Sequence, residues 1–259
     1  MDNSEHKYKI TLVYDGTNYC GWQIQPNGVT IQEVLQEKLS IILRTDIEIT
    51  GASRTDSGVH ALAQIAHFSY DQEIDGYRFL ASINGILPID IRVKEIEKMP
   101  PSFHARYTAT NKVYHYHINL DRVQDPFKRL YCWYFPEKIN LEALKACSNE
   151  FVGTHDFTSF ANEPRVGATA RNPVRTLRRV GVTPEKEGVR LEFEGDSFLY
   201  KMVRNITGTM IEVGKGKRNV EEIRSILAAK DRRKAGRAAP PHGLFLVRVD
   251  YPMDVKEGK

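Results

Sequence analysis

The chain is 259 residues long, with 41% hydrophobic and 27% charged residues. That is enough apolar material to pack one large domain or two small ones, and it excludes a disordered, collagen-like or coiled-coil chain. No run approaches the about 20 consecutive apolar residues of a membrane span, and a formal net charge of +4 names no partner by itself.

Residues 7–13, Lys-Tyr-Lys-Ile-Thr-Leu-Val, read as a strand. A loop rich in Gly, Asn and Pro spans 15–28. Thr30 is an N-cap and Glu33 completes a capping box. The helical spacing of Ile31, Val34, Leu35, Leu39 and Ile42 then predicts an amphipathic helix over 31–43. Strands are expected at 47–51, 62–70 and 92–97, with a helix at 75–86. A strand at 113–120, a helix at 141–151 and a long loop over 153–173 follow. Strands 176–182 and 189–193 flank a turn at 183–188, and helices are expected at 198–213 and 220–229. A strand at 244–250 closes the pattern. This order predicts an α+β fold: a mostly antiparallel sheet, helices packed on one face, and two loosely similar halves. Pro100 and Pro101 interrupt the pattern, so the halves are taken as 1–105 and 106–259.

Cys20, Cys132 and Cys147 are widely spaced and no CxxC pair occurs. Neither a disulfide framework nor a zinc knuckle is supported. The first residues, MDNSEHKYK, have no apolar run. A cytoplasmic protein is expected.

Between the strands at 47–51 and 62–70 lies Gly51-Ala52-Ser53-Arg54-Thr55-Asp56-Ser57-Gly58-Val59-His60. It has almost no hydrophobic periodicity, and a loop of such polar groups is where function usually sits. Small neighbours leave the Asp56 carboxylate approachable. A lone carboxylate serves as nucleophile, general base or metal ligand. It also serves as an Asx-turn cap for its own backbone. A metal needs a cluster of His, Asp and Glu, and a strand from Leu62 onward carries His67 away from Asp56, so no metal is expected.

Basic residues cluster at Arg165, Arg171, Arg175, Arg178 and Arg179, at Lys215, Lys217 and Arg218, and at Lys230, Arg232, Arg233, Lys234 and Arg237. Such clusters suit a phosphate backbone; any one of them alone reads better as a solvated face, but three together, with Asp and Glu nearly absent from the first and third, point towards nucleic acid. Tyr14, Tyr19, Trp22, Tyr107, Tyr114, Phe157 and Phe160 are interleaved with them. Exposed rings of this kind stack on unpaired bases; buried ones fill a core.

Six blocks occur in order. The first is Tyr14-Asp15-Gly16-Thr17-Asn18-Tyr19-Cys20-Gly21-Trp22-Gln23-Ile24-Gln25. The second is Arg54-Thr55-Asp56-Ser57-Gly58-Val59-His60-Ala61. Phe103-His104-Ala105-Arg106 with Lys112-Val113-Tyr114 is the third, and Asp156-Phe157-Thr158-Ser159-Phe160 the fourth. Phe198-Leu199 through Met202-Val203-Arg204-Asn205 and Ala239-Pro240-Pro241-His242-Gly243-Leu244 close the series. Together they resemble the tRNA pseudouridine synthases of the TruA family, over nearly the whole chain. Ser53 stands where that family commonly has Gly, and Tyr200-Lys201 where it commonly has two His.

The resemblance implies the pseudouridine synthase fold and an isomerase acting on uridine in the anticodon stem-loop of tRNA, around the 3′ side of the stem. It implies a homodimer bridged by the RNA, with no metal, no organic cofactor and no membrane. It assigns Asp56, Tyr114 and Arg204 to catalysis, and Arg54, Thr55, His60, Arg106, Lys112, Arg171 and Arg175 to RNA binding. Breaking a glycosidic bond builds positive charge on the sugar, which a carboxylate stabilises or traps. By resemblance, Arg204 keeps that carboxylate ionised and Tyr114 lies against the flipped-out base. Two rival readings stand beside this one. A non-catalytic tRNA-binding or RNA-folding protein leaves Asp56 without a task. A small-molecule hydrolase using Asp56 and His60 leaves the basic clusters without one.

Overall fold

The computed structural model describes residues 6–162 and 172–252. The chain divides into two compact units, Met1–Asn111 with Phe245–Lys259, and Lys112–Leu244.

In the first unit, strand β1 (His6–Tyr14) pairs antiparallel with both β3 (His60–Tyr70) and β4 (Ile91–Met99). The two-residue β2 (Thr50–Gly51) also pairs with β3, and the last strand β10 (Leu244–Asp250) joins β3 in parallel, Phe245 opposite His60. Helix α1 (Ile31–Leu43) starts where Thr30 and Glu33 cap each other's backbone N–H groups. Helix α2 (Gly76–Ile86) is capped by the Asp75 carboxylate, which accepts from Tyr77 and Arg78 N–H. Ile31, Leu35 and Leu39 of α1 and Phe79 and Ile83 of α2 are buried, as are Tyr8, Ile10 and Leu12 of β1. Phe68 stacks between Tyr8 and Phe79. Ala52, Ile65, Met99, Phe103 and Ala105 form another buried cluster, with Val249 and Tyr251 against it. Strand β3 is therefore covered on both faces, and its buried run from Gln64 to Phe68 does not alternate.

In the second unit, β5 (Asn111–Asn119), β9 (Gly188–Gly195), β8 (Val174–Glu185) and β7 (Gly153–Asp156) follow one another as antiparallel neighbours. The two-residue β6 (Trp133–Tyr134) adds to β5 in parallel. Helix α3 (Leu141–Asn149) is capped by Asn140. Helix α4 (Met202–Gly214) is buried over most of its circumference, the pattern of a central core helix. Helix α5 (Glu222–Ala229) packs by Ile223, Ile226 and Leu227. Tyr116, Leu177, Leu191, Phe193, Ile206, Met210, Leu144 and Phe151 lie inside. Each such side chain stabilises by about 1.5–3 kcal/mol relative to exposure.

An α+β chain with a mostly antiparallel sheet is thus what the sequence order predicts. Four local expectations are corrected. Ile47 and Ile49 are buried without pairing, and only Thr50 and Gly51 of the 47–51 strand join β3. The 153–173 loop contains β7 and a 3-10 turn at Thr158–Phe160. Strands β8 and β9 run on to leave just Lys186 and Glu187 in the turn. Pro184 is tolerated there because β7 pairs β8 only over Val174–Leu177, so Pro184 lies at an edge. Helix α4 starts at Met202 rather than Phe198, because Lys201 takes a left-handed φ of 59° that no helix interior accepts.

Candidate active site

The loop from Ser53 to His60 leaves β2 and enters β3. It is held from both ends. At its entry, the buried Gln64 carboxamide of β3 accepts from Ser53 N–H (3.2 Å) and donates to the Ser53 carbonyl (2.7 Å). At its centre, Trp22 N–H donates to the Thr55 carbonyl (3.1 Å), and the Tyr14 hydroxyl bonds the Thr55 hydroxyl (2.8 Å). Past Asp56, the Ser57 hydroxyl (3.1 Å) and Gly58 N–H (3.3 Å) both donate to the Tyr19 carbonyl. At its exit, His60 is 1% exposed and stacks on Phe245, ring centroids 4.6 Å apart. Gly16 N–H donates to His60 Nδ1 (3.1 Å), with Asp15 Oδ1 at 3.1 Å from the same nitrogen.

The loop between β1 and α1 is therefore the mould for the Asp56 loop. Gly21 makes the close approach possible. It takes φ +85°, and a Cβ there would stand 2.5 Å from the Thr55 carbonyl oxygen and 3.0 Å from the Asp56 carbonyl carbon. Tyr19 anchors the mould itself by donating to Asp90 (2.6 Å), and burial together with Asp90 pushes its phenol well up. Within this frame Asp56 is half-buried, Thr55 is buried and Arg54 and Ser57 are exposed.

Arg106 lies in the same unit, beside a ladder of rings. His67, buried, accepts Ala105 N–H at Nδ1 (3.2 Å) and lies 4.7 Å from the His104 ring. His104 in turn lies 4.2 Å from Tyr107, which is 78% exposed and carries the Arg106 guanidinium 5.9 Å above its ring. Burial, then His104 and Lys7, hold His67 down to about 4. Burial lowers His104 as well.

The second unit holds the remaining assigned residues. Tyr114 on β5 is 5% exposed and meets the Phe198 ring edge-on at 5.0 Å. Arg204, in the first turn of α4, donates from Nε to the Ala239 carbonyl (2.8 Å), and Ala239 N–H donates back to the Arg204 carbonyl (2.9 Å). Next to it, the buried Asn205 side chain donates to the Phe160 carbonyl and to Asn162, and accepts from Arg232. Lys112 is buried, and Arg175 donates to the Asn172 and Val174 carbonyls. Arg165 and Arg171 lie outside the described residues.

The basic clusters are more neutralised than their sequence suggests. Arg179 pairs with Glu192, Lys215 with Glu137, Arg218 with Glu212, Lys230 with Asp156 and Arg233 with Asp231. Most interleaved aromatics are core: Tyr14, Tyr19, Trp22, Phe157 and Phe160 are all buried, which leaves Tyr107 as the exposed ring of that set. Among the described residues no group of three or more His, Cys, Asp or Glu is placed to hold a metal ion. No described helix is long and apolar enough to cross a membrane.

Gln64 is the site residue that sequence reasoning missed. Its signal was present: a polar amide inside the buried part of a strand is costly unless it has a partner.

The profile of a family described as tRNA pseudouridine synthase matches residues 11–108 and 147–252. A curated relative from Protochlamydia amoebophila (strain UWE25), tRNA pseudouridine synthase A 1, is 55% identical over 247 residues, 95% of this chain and 96% of that one. A tRNA pseudouridine synthase A from an Exiguobacterium species is 43% identical over 245 residues, 95% of this chain and 98% of its own length. Another from Thermoanaerobacter sp. (strain X514) is 41% identical over 242 residues, 93% of this chain and 98% of its own length.

Proposed function

The chain belongs to the tRNA pseudouridine synthase family and isomerises uridine to pseudouridine in tRNA, and we propose that Asp56 is its catalytic carboxylate, acting on uridines of the anticodon stem-loop. The observation that carries this reading is the anchoring of residues 53–60. Backbone and side-chain bonds from β3 and from the β1–α1 loop hold a half-buried carboxylate between the buried Thr55 and the exposed Ser57.

The isomerisation breaks the C1′–N1 bond and joins C1′ to C5. C5 gives up a proton and N1 gains one, so nothing enters or leaves in net. Positive charge builds on the sugar as the bond breaks, and the Asp56 carboxylate stabilises or traps it. Arg204 is proposed as the cation that pairs with the Asp56 carboxylate; its Nε bond to Ala239 sets the plane of the guanidinium. Tyr114, its ring oriented by Phe198, is proposed to lie against the extruded base. Arg54, exposed on the same loop, fills the vacated stack or binds its phosphate, and Arg106 and Tyr107 offer a further RNA contact. Thr55 and His60 act by holding the loop in place. Arg171 and Arg175 are proposed to contribute to tRNA binding, whereas Lys112, expected there from the resemblance, is buried on β5; the enzyme is proposed to work as a homodimer.

The test is tritium release from tRNA labelled at C5 of its uridines. Wild type is expected to release tritium, and Asp56→Ala to lose at least about three orders of magnitude in rate while still binding tRNA. Release by Asp56→Ala at the wild-type rate overturns the assignment. Release undiminished when the anticodon-stem uridines are replaced by cytidine overturns the location.

A further inference from the structure

We infer that Gln64 is a positioning residue for Asp56, an inference that rests on the catalytic reading of that carboxylate. Strand β2 ends at Gly51, and one residue on Ala52 N–H donates to the Ile65 carbonyl (2.7 Å). Beyond Gly51 no residue of this segment belongs to β2. The Gln64 side chain then takes over the role of a strand neighbour. Its carbonyl accepts Ser53 N–H and its NH2 donates to the Ser53 carbonyl, the same two-way exchange that a ladder pair makes. Ser53 is thereby fixed, three residues before Asp56. The anchors from Trp22, Tyr14 and Tyr19 all act from Thr55 onward. Gln64 therefore sets where the loop begins, and those three set where it goes next.

An apolar side chain would pack in this strand at least as well. Burying an amide costs free energy that its two bonds merely recover. Its contribution is geometric: a satisfied buried polar pair fixes one arrangement, where apolar contacts allow several. Gln64 does not touch the substrate in this account. It acts through Ser53 on the placement of Asp56, and misplacement by about 1 Å costs on the order of 10²-fold in rate.

The experiment is single-turnover tritium release at saturating enzyme, with tRNA affinity measured in parallel. In this regime an unfolded fraction does not change the rate constant, so a purely structural role would leave it unmoved. Gln64→Met keeps the length and removes both bonds. The expected result is a rate constant lower by about 10- to 100-fold, with the tRNA Kd within about twofold of wild type. A folded Gln64→Met enzyme at the wild-type rate overturns the inference. Should that variant not fold, Gln64→Glu keeps the acceptor for Ser53 N–H, loses the donor, and is read in the same way. Asp56→Ala runs beside them. Activity in Asp56→Ala refutes the catalytic reading itself; an inactive Asp56→Ala with a fully active Gln64 variant refutes this inference alone.

Discussion

Gly21 is the position where one added methyl group tests the whole account of the Asp56 loop. Two costs add in Gly21→Ala. The left-handed φ of +85° penalises any Cβ by about 1–2 kcal/mol. The methyl would also stand 2.5 Å from the Thr55 carbonyl oxygen and 3.1 Å from Ser57 N, where ordinary contact begins at 3.4 Å. These neighbours are backbone atoms, and overpacking of that kind costs about 1–3 kcal/mol. The sum is about 2–5 kcal/mol, a large share of the about 5–15 kcal/mol that holds a domain folded. Relief requires the Thr55–Ser57 backbone to retreat by roughly 1 Å, which carries Asp56 with it and predicts a rate loss of order 10²-fold. Gly216→Ala is the control. It shares the left-handed backbone, φ +70°, but nothing lies within 4 Å of its Cβ, so it pays the backbone cost of about 1–2 kcal/mol alone. Urea unfolding and single-turnover tritium release are measured on both. A Gly21→Ala protein as stable as Gly216→Ala, and as fast as wild type, would refute the close approach and the mould it implies.

Two further outcomes follow from the charges. His67 titrates near 4 when folded, against 6.5 ordinarily. Above pH 6.5 it is neutral in both states and adds no pH dependence; between 6.5 and 4 the unfolded chain binds a proton that the folded one refuses. Stability therefore falls as pH falls through that window, by about 3 kcal/mol in all. His67→Gln should flatten that decline in urea titrations, and an unchanged decline would contradict the burial of a neutral ring. Lys234 and Arg237 are exposed and make no ion pair among the described residues, whereas Arg233 is paired with Asp231. Lys234→Ala and Arg237→Ala should each reduce the salt slope of tRNA binding by about 1, and Arg233→Ala by less; equal slopes in all three would show that pairing does not decide which cations meet phosphate.

The elements that sequence placed well are those whose causes are local. The reciprocal bonds of Thr30 and Glu33 lie three residues apart, and α1 begins where they put it. The β10 strand was legible from its apolar run alone. What failed depends on partners far away in the chain. Strand β7 is strand only because residues 174–177 lie beside it. The start of α4 is set by one left-handed residue, Lys201, a conformation that periodicity does not register. The charge clusters pointed to the right class of partner but not to the cations that are free of ion pairs: Arg179 finds Glu192 and Lys230 finds Asp156 across the fold, so density of Arg and Lys along the chain overstates the unpaired charge.

The site follows the same division. Its polar loop was visible because hydrophobic periodicity stops there, and a motif identifies it because residue types recur in fixed order. What holds the loop was not visible. Trp22 and Tyr14 looked like surfaces for bases, yet they are buried, and they meet the loop through a backbone N–H and a hydroxyl. Gln64 sits in what reads as an ordinary strand. A reactive carboxylate has to be approachable, so the groups that fix it cannot crowd it; they are placed behind it, on β3 and the β1–α1 loop, and they grip the backbone on either side of Asp56. That arrangement separates the residue types that do the chemistry from those that aim it. Substitutions at Gln64 and Gly21 should therefore lower the rate with tRNA affinity preserved, whereas substitutions among the exposed cations should lower affinity with the rate of the bound complex preserved.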